Sequence, residues 1–259
     1  MNIKLYSKII KNINTKAPFE IGIQTLVYMF LQDFFEDSKA VLVVVDKARK
    51  TSRYVSDTGI SDLAVVSDDF DFYDDEKGQV IISIEVKLKG LENNYEQVIG
   101  HLLTFGKVLY TDAKEWVYYD FEKACKANNI DESEYEEFMN KLKEVIGLKR
   151  EIAKKKASIV GLLGQKTRRE KNHQETIKQE KAIEECNKKI ADKTKDLDKL
   201  ENEIKNWLDG KKWIREYIKN GEWGKVIKLF KDTQQAFEIN KQQYQELKGR
   251  IAAIVQSLL

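Results

Sequence analysis

Two residues of opposite charge, Glu85 and Lys87, lie two positions apart in the stretch VIISIEVKLK, residues 80–89. The stretch is rich in β-branched residues and alternates in polarity, which predicts a β-strand. Successive side chains of a strand point to opposite faces. The apolar face would carry Ile82, Ile84, Val86 and Leu88, and the polar face Ser83, Glu85, Lys87 and Lys89. An edge strand with a solvated polar face has the same pattern, so a site is indicated only if other acids come to the same place.

Two upstream acids stand at the beginnings of predicted elements. Glu20 lies in the first turn of a helix predicted over residues 18–37, in which apolar residues recur at helical spacing. Asp62 follows Gly59 and directly precedes an apolar strand, residues 63–66. Each acid also has an ordinary explanation. Acids favour helix N-termini because of the helix dipole, and aspartate is common in caps and turns.

The other elements of the first half indicate an α/β fold. The segment VLVVV, residues 41–45, predicts a strand, and residues 91–107 predict a helix on which Gln97 and His101 are one turn apart. Two aromatic-rich strands follow, residues 107–110 and 115–119, joined by a turn. The order of helix, three strands, helix and two strands predicts a mixed sheet flanked by helices.

The remainder of the chain is predicted to be helical. Ile183, Ile190, Leu197 and Ile204 repeat every seven residues, as in a coiled coil. A polar stretch separates this seam from an earlier one, so a helical hairpin is expected, and a last helix repeats the pattern. The seams would bury themselves against one another or against a second subunit, which would make a homodimer. The sequence therefore predicts domains at residues 1–128 and 129–259, the second an all-α coiled-coil or helical-bundle domain.

Composition excludes several classes of protein. The chain has 259 residues with 2 cysteines and 2 histidines, too few for a disulfide framework or a multi-histidine metal site, so oxygen atoms would have to hold any metal. No apolar run reaches the roughly 18 residues of a membrane span. The N-terminus lacks the apolar core of a signal peptide, and a cytoplasmic protein is expected.

The positions of the candidate acids resemble the PD-(D/E)XK nuclease superfamily. Glu20 matches the acid of the first helix, Gly59-Ile60-Ser61-Asp62 the first motif with serine in place of proline, and Glu85-Val86-Lys87 the second motif. Gln97 matches a glutamine found in some members, although His101 stands where those members have tyrosine. The resemblance covers the first half of the chain and implies a restriction-endonuclease-like core.

The resemblance also implies a chemistry. Asp62 and Glu85, helped by Glu20 and the Val86 carbonyl, would hold one or two Mg²⁺ ions, with Mn²⁺ as a substitute. Lys87 would orient or deprotonate the attacking water and touch the scissile phosphate, and Gln97 would steady the substrate or Lys87.

A basic segment follows the acidic first half. Residues 1–140 contain 16 Lys and Arg against 25 Asp and Glu, whereas residues 141–181 contain 13 against 5. Basic residues in this segment could bind a nucleic-acid backbone, or they could be the solvated faces of a coiled coil. The residues are Lys149, Arg150, Lys154, Lys155, Lys156, Lys166, Arg168, Arg169 and Lys171.

Three functions are compatible with these patterns. The first is a metal-dependent DNA endonuclease of restriction, anti-phage defence or mobile-element DNA processing, with RNA left open as a substrate. The second is an inactive nuclease-like module that acts in binding or assembly through its coiled coil. The third is a coiled-coil adaptor whose α/β part is unrelated to nucleases.

Overall fold

The computed structural model describes residues 1–36, 38–45, 53–56, 58–74, 76–88, 95–166, 173–230 and 239–258. The chain forms two compact units, Met1–Ile130 with Trp213–Leu259, and Asp131–Lys212. The second unit therefore interrupts the first in chain order.

The first unit contains both the sheet and most of the helices. Its elements are α1 (Ile3–Lys16), α2 (Glu20–Phe35), β1 (Ala40–Val44), β2 (Val55–Ser56), β3 (Gly59–Ile60), β4 (Leu63–Ser67), β5 (Val80–Val86), α3 (Tyr95–Phe105), β6 (Lys107–Thr111), β7 (Glu115–Asp120) and α4 (Phe121–Ala127). The second unit contributes α5 (Glu132–Lys166) and α6 (His173–Asp209), after which the first unit is completed by α7 (Trp213–Asn220), β8 (Ile227–Lys228) and α8 (Lys241–Gln256).

The main sheet is mixed and has six strands in the order β1-β4-β5-β6-β7-β8. Strands β1, β4 and β5 form an antiparallel meander, and β6 then lies parallel to β5 after the crossover through α3. Strands β7 and β8 extend the sheet in antiparallel pairing, while β2 and β3 form a separate hairpin. The predicted α/β class with a mixed sheet and flanking helices is confirmed.

One face of the sheet packs against α1, α2 and α8. Ile82, Ile84 and Val86 of β5 are buried in this core, and Leu88 packs at its edge, as the alternation of the strand predicts. Tyr6 and Phe30 meet edge to face in the same core, with ring centroids 5.4 Å apart. Hydrophobic burial on this face thus fixes which side chains of β5 are left for the other face.

Helix α8 belongs to the first unit, whereas the sequence places it in the helical domain at 129–259. Its apolar stripe, including Tyr244, Leu247 and Ile251, is buried in the core beneath the sheet. The heptad pattern predicts the stripe but does not identify the surface that covers it. Strand β8, which also follows the second unit in the chain, pairs with β7 and completes the sheet.

Helix α3 lies on the opposite face, against β5 and β6, with Val98 and Leu102 buried. Its position is set partly by Gly100, because a side chain there would overlap Thr58 of the β2–β3 hairpin. The Thr58 hydroxyl also donates a hydrogen bond to the Gln97 carbonyl at 3.0 Å. This close approach fixes the rotation of α3 and therefore the positions of Gln97 and His101.

The second unit contains two long helices that run in opposite directions. Lys141 pairs with Glu203 at 3.1 Å and Lys149 with Glu201 at 2.8 Å, while Phe138 stacks on Trp207. The predicted helical hairpin is confirmed. None of the helices in the described parts of the chain is long and apolar enough to cross a membrane.

Candidate active site

Asp62 and Glu85 lie side by side at one end of the β4–β5 pair. Leu63 is opposite Ile84 in the antiparallel register, which brings Asp62, one residue earlier, beside the end of β5. The Val86 N–H donates a hydrogen bond to Asp62 Oδ2 at 2.7 Å. Both carboxylates are only 1% exposed. Burying two acids together is costly unless hydrogen bonds and cations compensate, so such an arrangement requires specific partners.

Glu85 has two donors on one carboxylate oxygen. Lys87 Nζ lies 2.6 Å from Glu85 Oε1, and Gln97 Nε2 of α3 donates to the same oxygen at 2.5 Å. The Lys87 side chain is 20% exposed, compared with 1% for Glu85. The ammonium is therefore the member of this pair that solvent or a substrate can reach directly.

Asp62 is contacted by α2, which packs on the sheet face opposite to α3. Gln24 Nε2 of α2 donates to Asp62 Oδ1 at 2.6 Å. Glu20 is half-buried and lies one helical turn before Gln24, on the same side of α2. In the described ranges, no three His, Cys, Asp or Glu side chains come together as a metal-binding group. Glu20 is thus on the helix that faces the acid pair without forming a three-ligand cluster with it.

A row of buried polar groups continues behind Glu85. His101 Nε2 lies 3.4 Å from Glu85 Oε2, His101 Nδ1 lies 3.3 Å from Ser83 Oγ, and Ser83 Oγ lies 2.8 Å from Ser61 Oγ. Serine, histidine and glutamate in this order resemble a nucleophilic triad. However, Ser61, Ser83 and His101 are all 0% exposed, so no acyl substrate reaches the serine in this structure.

Four of the predicted site residues come together with the Val86 backbone: Asp62, Glu85, Lys87 and Gln97. The residues that the sequence interpretation missed as site members are Gln24 and His101. Both lie four positions after a predicted site residue on the same helix, Gln24 after Glu20 and His101 after Gln97. Extending each helical face by one turn would have found them.

All nine predicted nucleic-acid-binding residues fall within the residue range of the second unit, Asp131–Lys212. Lys149 forms an ion pair with Glu201 at 2.8 Å, Lys154 and Lys156 are exposed, and Lys155 is half-buried. Arg150 and Lys166 are in α5, but their side chains lie outside the described residues, as do Arg168, Arg169 and Lys171 entirely. At this one position, the ion pair between the two helices agrees with the interpretation of the basic residues as a solvated coiled-coil face.

The donor set suits a hard divalent cation. Mg²⁺ prefers oxygen ligands and is usually held by one or two carboxylates together with water and substrate phosphates, rather than by a complete protein cage. Two adjacent buried carboxylates, Asp62 and Glu85, supply ligands of this kind. A site built from histidine nitrogen or cysteine sulfur would not.

No family model matches the chain, and no curated protein or solved structure is significantly similar to it. The case for a function therefore depends on the geometry of the first unit and on the resemblance of its motifs.

Proposed function

We propose that the first unit is a metal-dependent nuclease of the PD-(D/E)XK type that hydrolyses phosphodiester bonds in DNA. The observation that carries the proposal is the juxtaposition of Asp62 and Glu85 at adjacent strand ends, with Lys87 Nζ 2.6 Å from Glu85. Acids and an amine in this arrangement suit phosphate chemistry, in which charge must be neutralised and a water activated.

The order of elements supports the proposal. Helix α2, the β1-β4-β5 meander, helix α3 and the parallel strand β6 follow one another as the resemblance implies for a restriction-endonuclease-like core. Asp62 directly precedes β4 and Glu85 lies near the end of β5, which are the positions that the two motifs would occupy.

Asp62 and Glu85 would hold the metal, with Glu20 and the Val86 carbonyl as the further ligands that the resemblance implies. When bound, Mg²⁺ lowers the pKa of a coordinated water and neutralises phosphate charge. The partly exposed Lys87 would hydrogen-bond the attacking water and the scissile phosphate. Gln24 and Gln97 would keep the two carboxylates in place through their amide N–H groups.

Access to the acids depends on side chains that can change rotamer. Gln24, Lys87 and Gln97 contact the carboxylates directly. All three have flexible side chains and are half-buried, whereas the two acids are 1% exposed. Rotation of these side chains would expose Asp62 and Glu85 without any change in the backbone.

One observation favours the second candidate function, an inactive nuclease-like module that acts through the helical hairpin. Asp62 and Glu85 are each 1% exposed and already accept hydrogen bonds from protein donors. A purely structural polar cluster has these properties, and it would bind no metal.

The deciding experiment is cleavage of supercoiled plasmid and single-stranded DNA, with RNA offered in parallel, in Mg²⁺ and in Mn²⁺. We expect the wild type to cut DNA and the Asp62→Asn and Lys87→Ala variants not to. Asp74→Asn and Lys77→Ala are matched controls, because this second acid and lysine pair lies in the loop between β4 and β5. If the wild type cuts no nucleic acid with either metal, the inactive module becomes the better account.

A further inference from the structure

His101 touches the candidate acid from the side away from Lys87. Its Nε2 lies 3.4 Å from Glu85 Oε2, longer than a normal hydrogen bond but within ion-pair distance, whereas Lys87 and Gln97 contact Oε1. The ring is fully buried and stacks on Phe105, with centroids 5.9 Å apart and an interplanar angle of 20°. Helix α3 therefore faces both oxygens of Glu85, Oε1 through Gln97 and Oε2 through His101, whereas Lys87 contacts Oε1 alone.

The hydrogen-bonding capacities of these groups give the row a direction. An ionised carboxylate only accepts hydrogen bonds, so a neutral imidazole facing it must carry its proton on Nε2. Nδ1 is then an acceptor, and Ser83 Oγ, 3.3 Å away, must donate to it. Because Ser83 uses its one proton in that bond, Ser61 must be the donor in the 2.8 Å contact between the two hydroxyls. For a neutral imidazole beside an ionised carboxylate, the direction of donation is therefore Ser61 to Ser83 to His101 to Glu85.

We infer that His101 is a positioning residue that turns its Nε2–H toward the Glu85 carboxylate at an ion-pair distance of 3.4 Å, with its own tautomer set by Ser83 and Ser61. The carboxylate is then oriented with Oε2 toward His101 and Oε1 toward Lys87 and Gln97. An imidazole that donates one N–H to a carboxylate while its other nitrogen accepts is fixed in both ring orientation and tautomer.

The inference deepens the proposed function and rests on it for the consequence on metal binding, but the tautomer and orientation are properties of the protein alone. A histidine that merely fills space beside Phe105 would keep the tautomer mixture of a free imidazole, in which Nε2–H predominates without excluding Nδ1–H. Its tautomers would not respond to Ser83→Ala, and it would be replaceable by any side chain of similar size. These two accounts differ in spectroscopy as well as in metal affinity.

The first test is ¹⁵N NMR of the imidazole. The chain has 2 histidines, so the His173→Gln variant leaves His101 as the only imidazole. We expect a single neutral tautomer with a protonated Nε2 and an unprotonated Nδ1, and in Ser83→Ala a shifted Nδ1 resonance. A protonated Nδ1, or a rapid average of both tautomers, would overturn the inference whether or not the protein is a nuclease.

The second test is Mn²⁺ binding measured by EPR on two amide variants. His101→Gln places its amide near the Nε2 position and His101→Asn near the Nδ1 position. We expect His101→Asn to weaken Mn²⁺ binding about 10- to 100-fold, the usual effect of losing a group that orients a ligand, and His101→Gln to retain most of the affinity.

Equal affinities in both folded variants, whether normal or lost, would show a packing role and overturn the inference. Failure of the wild type to bind Mn²⁺ would instead refute the proposed function, and the NMR result would then decide the inference by itself. The same NMR result decides it if either amide variant does not fold.

Discussion

Acidic residues lie at both ends of the β4–β5 pair, but their burial and their contacts differ between the two ends. At one end, Asp62 and Glu85 are 1% exposed and are contacted by side chains from two helices and by Lys87, which directly follows β5. At the other end, the connecting loop contains Asp68, Asp69, Asp71, Asp74 and Glu76, of which Asp68, Asp69 and Glu76 are exposed. The loop end therefore has more acidic residues than the end with the candidate active site.

Each end also has an acid paired with a lysine a few residues away. Lys87 Nζ is 2.6 Å from Glu85, and the two side chains are 20% and 1% exposed. Lys77 Nζ is 3.6 Å from Asp74, and those side chains are 63% and 40% exposed. An exposed pair of this kind contributes little, whereas a buried carboxylate depends strongly on its partner.

The arginine at the loop end is bound to backbone rather than to acids. Arg53 donates to the carbonyls of Asp71, Asp74 and Gly78 and lies over the Phe70 ring, 3.9 Å from its centroid. The loop is thus organised by its backbone, and its carboxylates face solvent or cap turns. What distinguishes the candidate site is burial and convergent donors, not acidity.

The largest expected difference between the two ends is in cleavage. Asp62→Asn should lower the rate of DNA cleavage by at least about 10³-fold, because losing a metal ligand removes several kcal/mol of transition-state stabilisation. Asp74→Asn should leave the rate unchanged. Single-turnover cleavage at saturating Mg²⁺ measures both, and equal rates for the two variants would remove the functional distinction between the ends.

Metal-induced stabilisation should separate the ends as well. At a Mg²⁺ concentration 100 times the Kd, the wild type should gain about 2.7 kcal/mol in free energy of unfolding. Glu85→Gln should lose that gain and Glu76→Gln should keep it. The gain in free energy of unfolding would be measured by urea titration, with hydrogen exchange of peptides covering β4 and β5 as the readout. A gain that survives in Glu85→Gln would place the metal elsewhere.

The sequence predicts the candidate site where strand geometry alone controls it. Alternation along residues 80–88 fixes the face of Glu85 and Lys87, because period-two alternation leaves one choice once Ile82, Ile84 and Val86 are buried. The position of Asp62 follows from its place before an apolar strand. These inferences need no knowledge of how the helices pack.

The features that were missed depend on tertiary packing. Gln24 and His101 reach the acids because α2 and α3 have particular rotations against the sheet, and the rotation of α3 depends on the contact between Gly100 and Thr58. Similarly, the heptads of α8 predict a buried apolar stripe, but they do not show that this stripe packs into the core of the first unit. Strand β8 has only two residues and so carries no periodic signal.

Loss of the lysine should cost more stability at the buried end than at the loop. Lys87→Ala leaves Glu85 buried with one fewer donor, and we expect a loss of about 1–3 kcal/mol in free energy of unfolding. Lys77→Ala should change it by no more than about 0.5 kcal/mol, as usual for an exposed pair. Urea unfolding of the two variants in metal-free buffer gives the comparison. Equal losses would mean that the Glu85–Lys87 contact is effectively solvated.

The smallest expected effect is the loss of Arg53 at the loop end. Arg53→Ala removes hydrogen bonds to three backbone carbonyls and the contact with the Phe70 ring, for which we expect a local cost of about 1 kcal/mol. Amide exchange should quicken at Asp71 and Lys77, whose N–H groups bond within the loop, while cleavage and the exchange of β5 amides stay as in the wild type. Slower cleavage in this variant would mean that the two ends are coupled through β4 and β5, because the substitution leaves every contact of Asp62 and Glu85 in place.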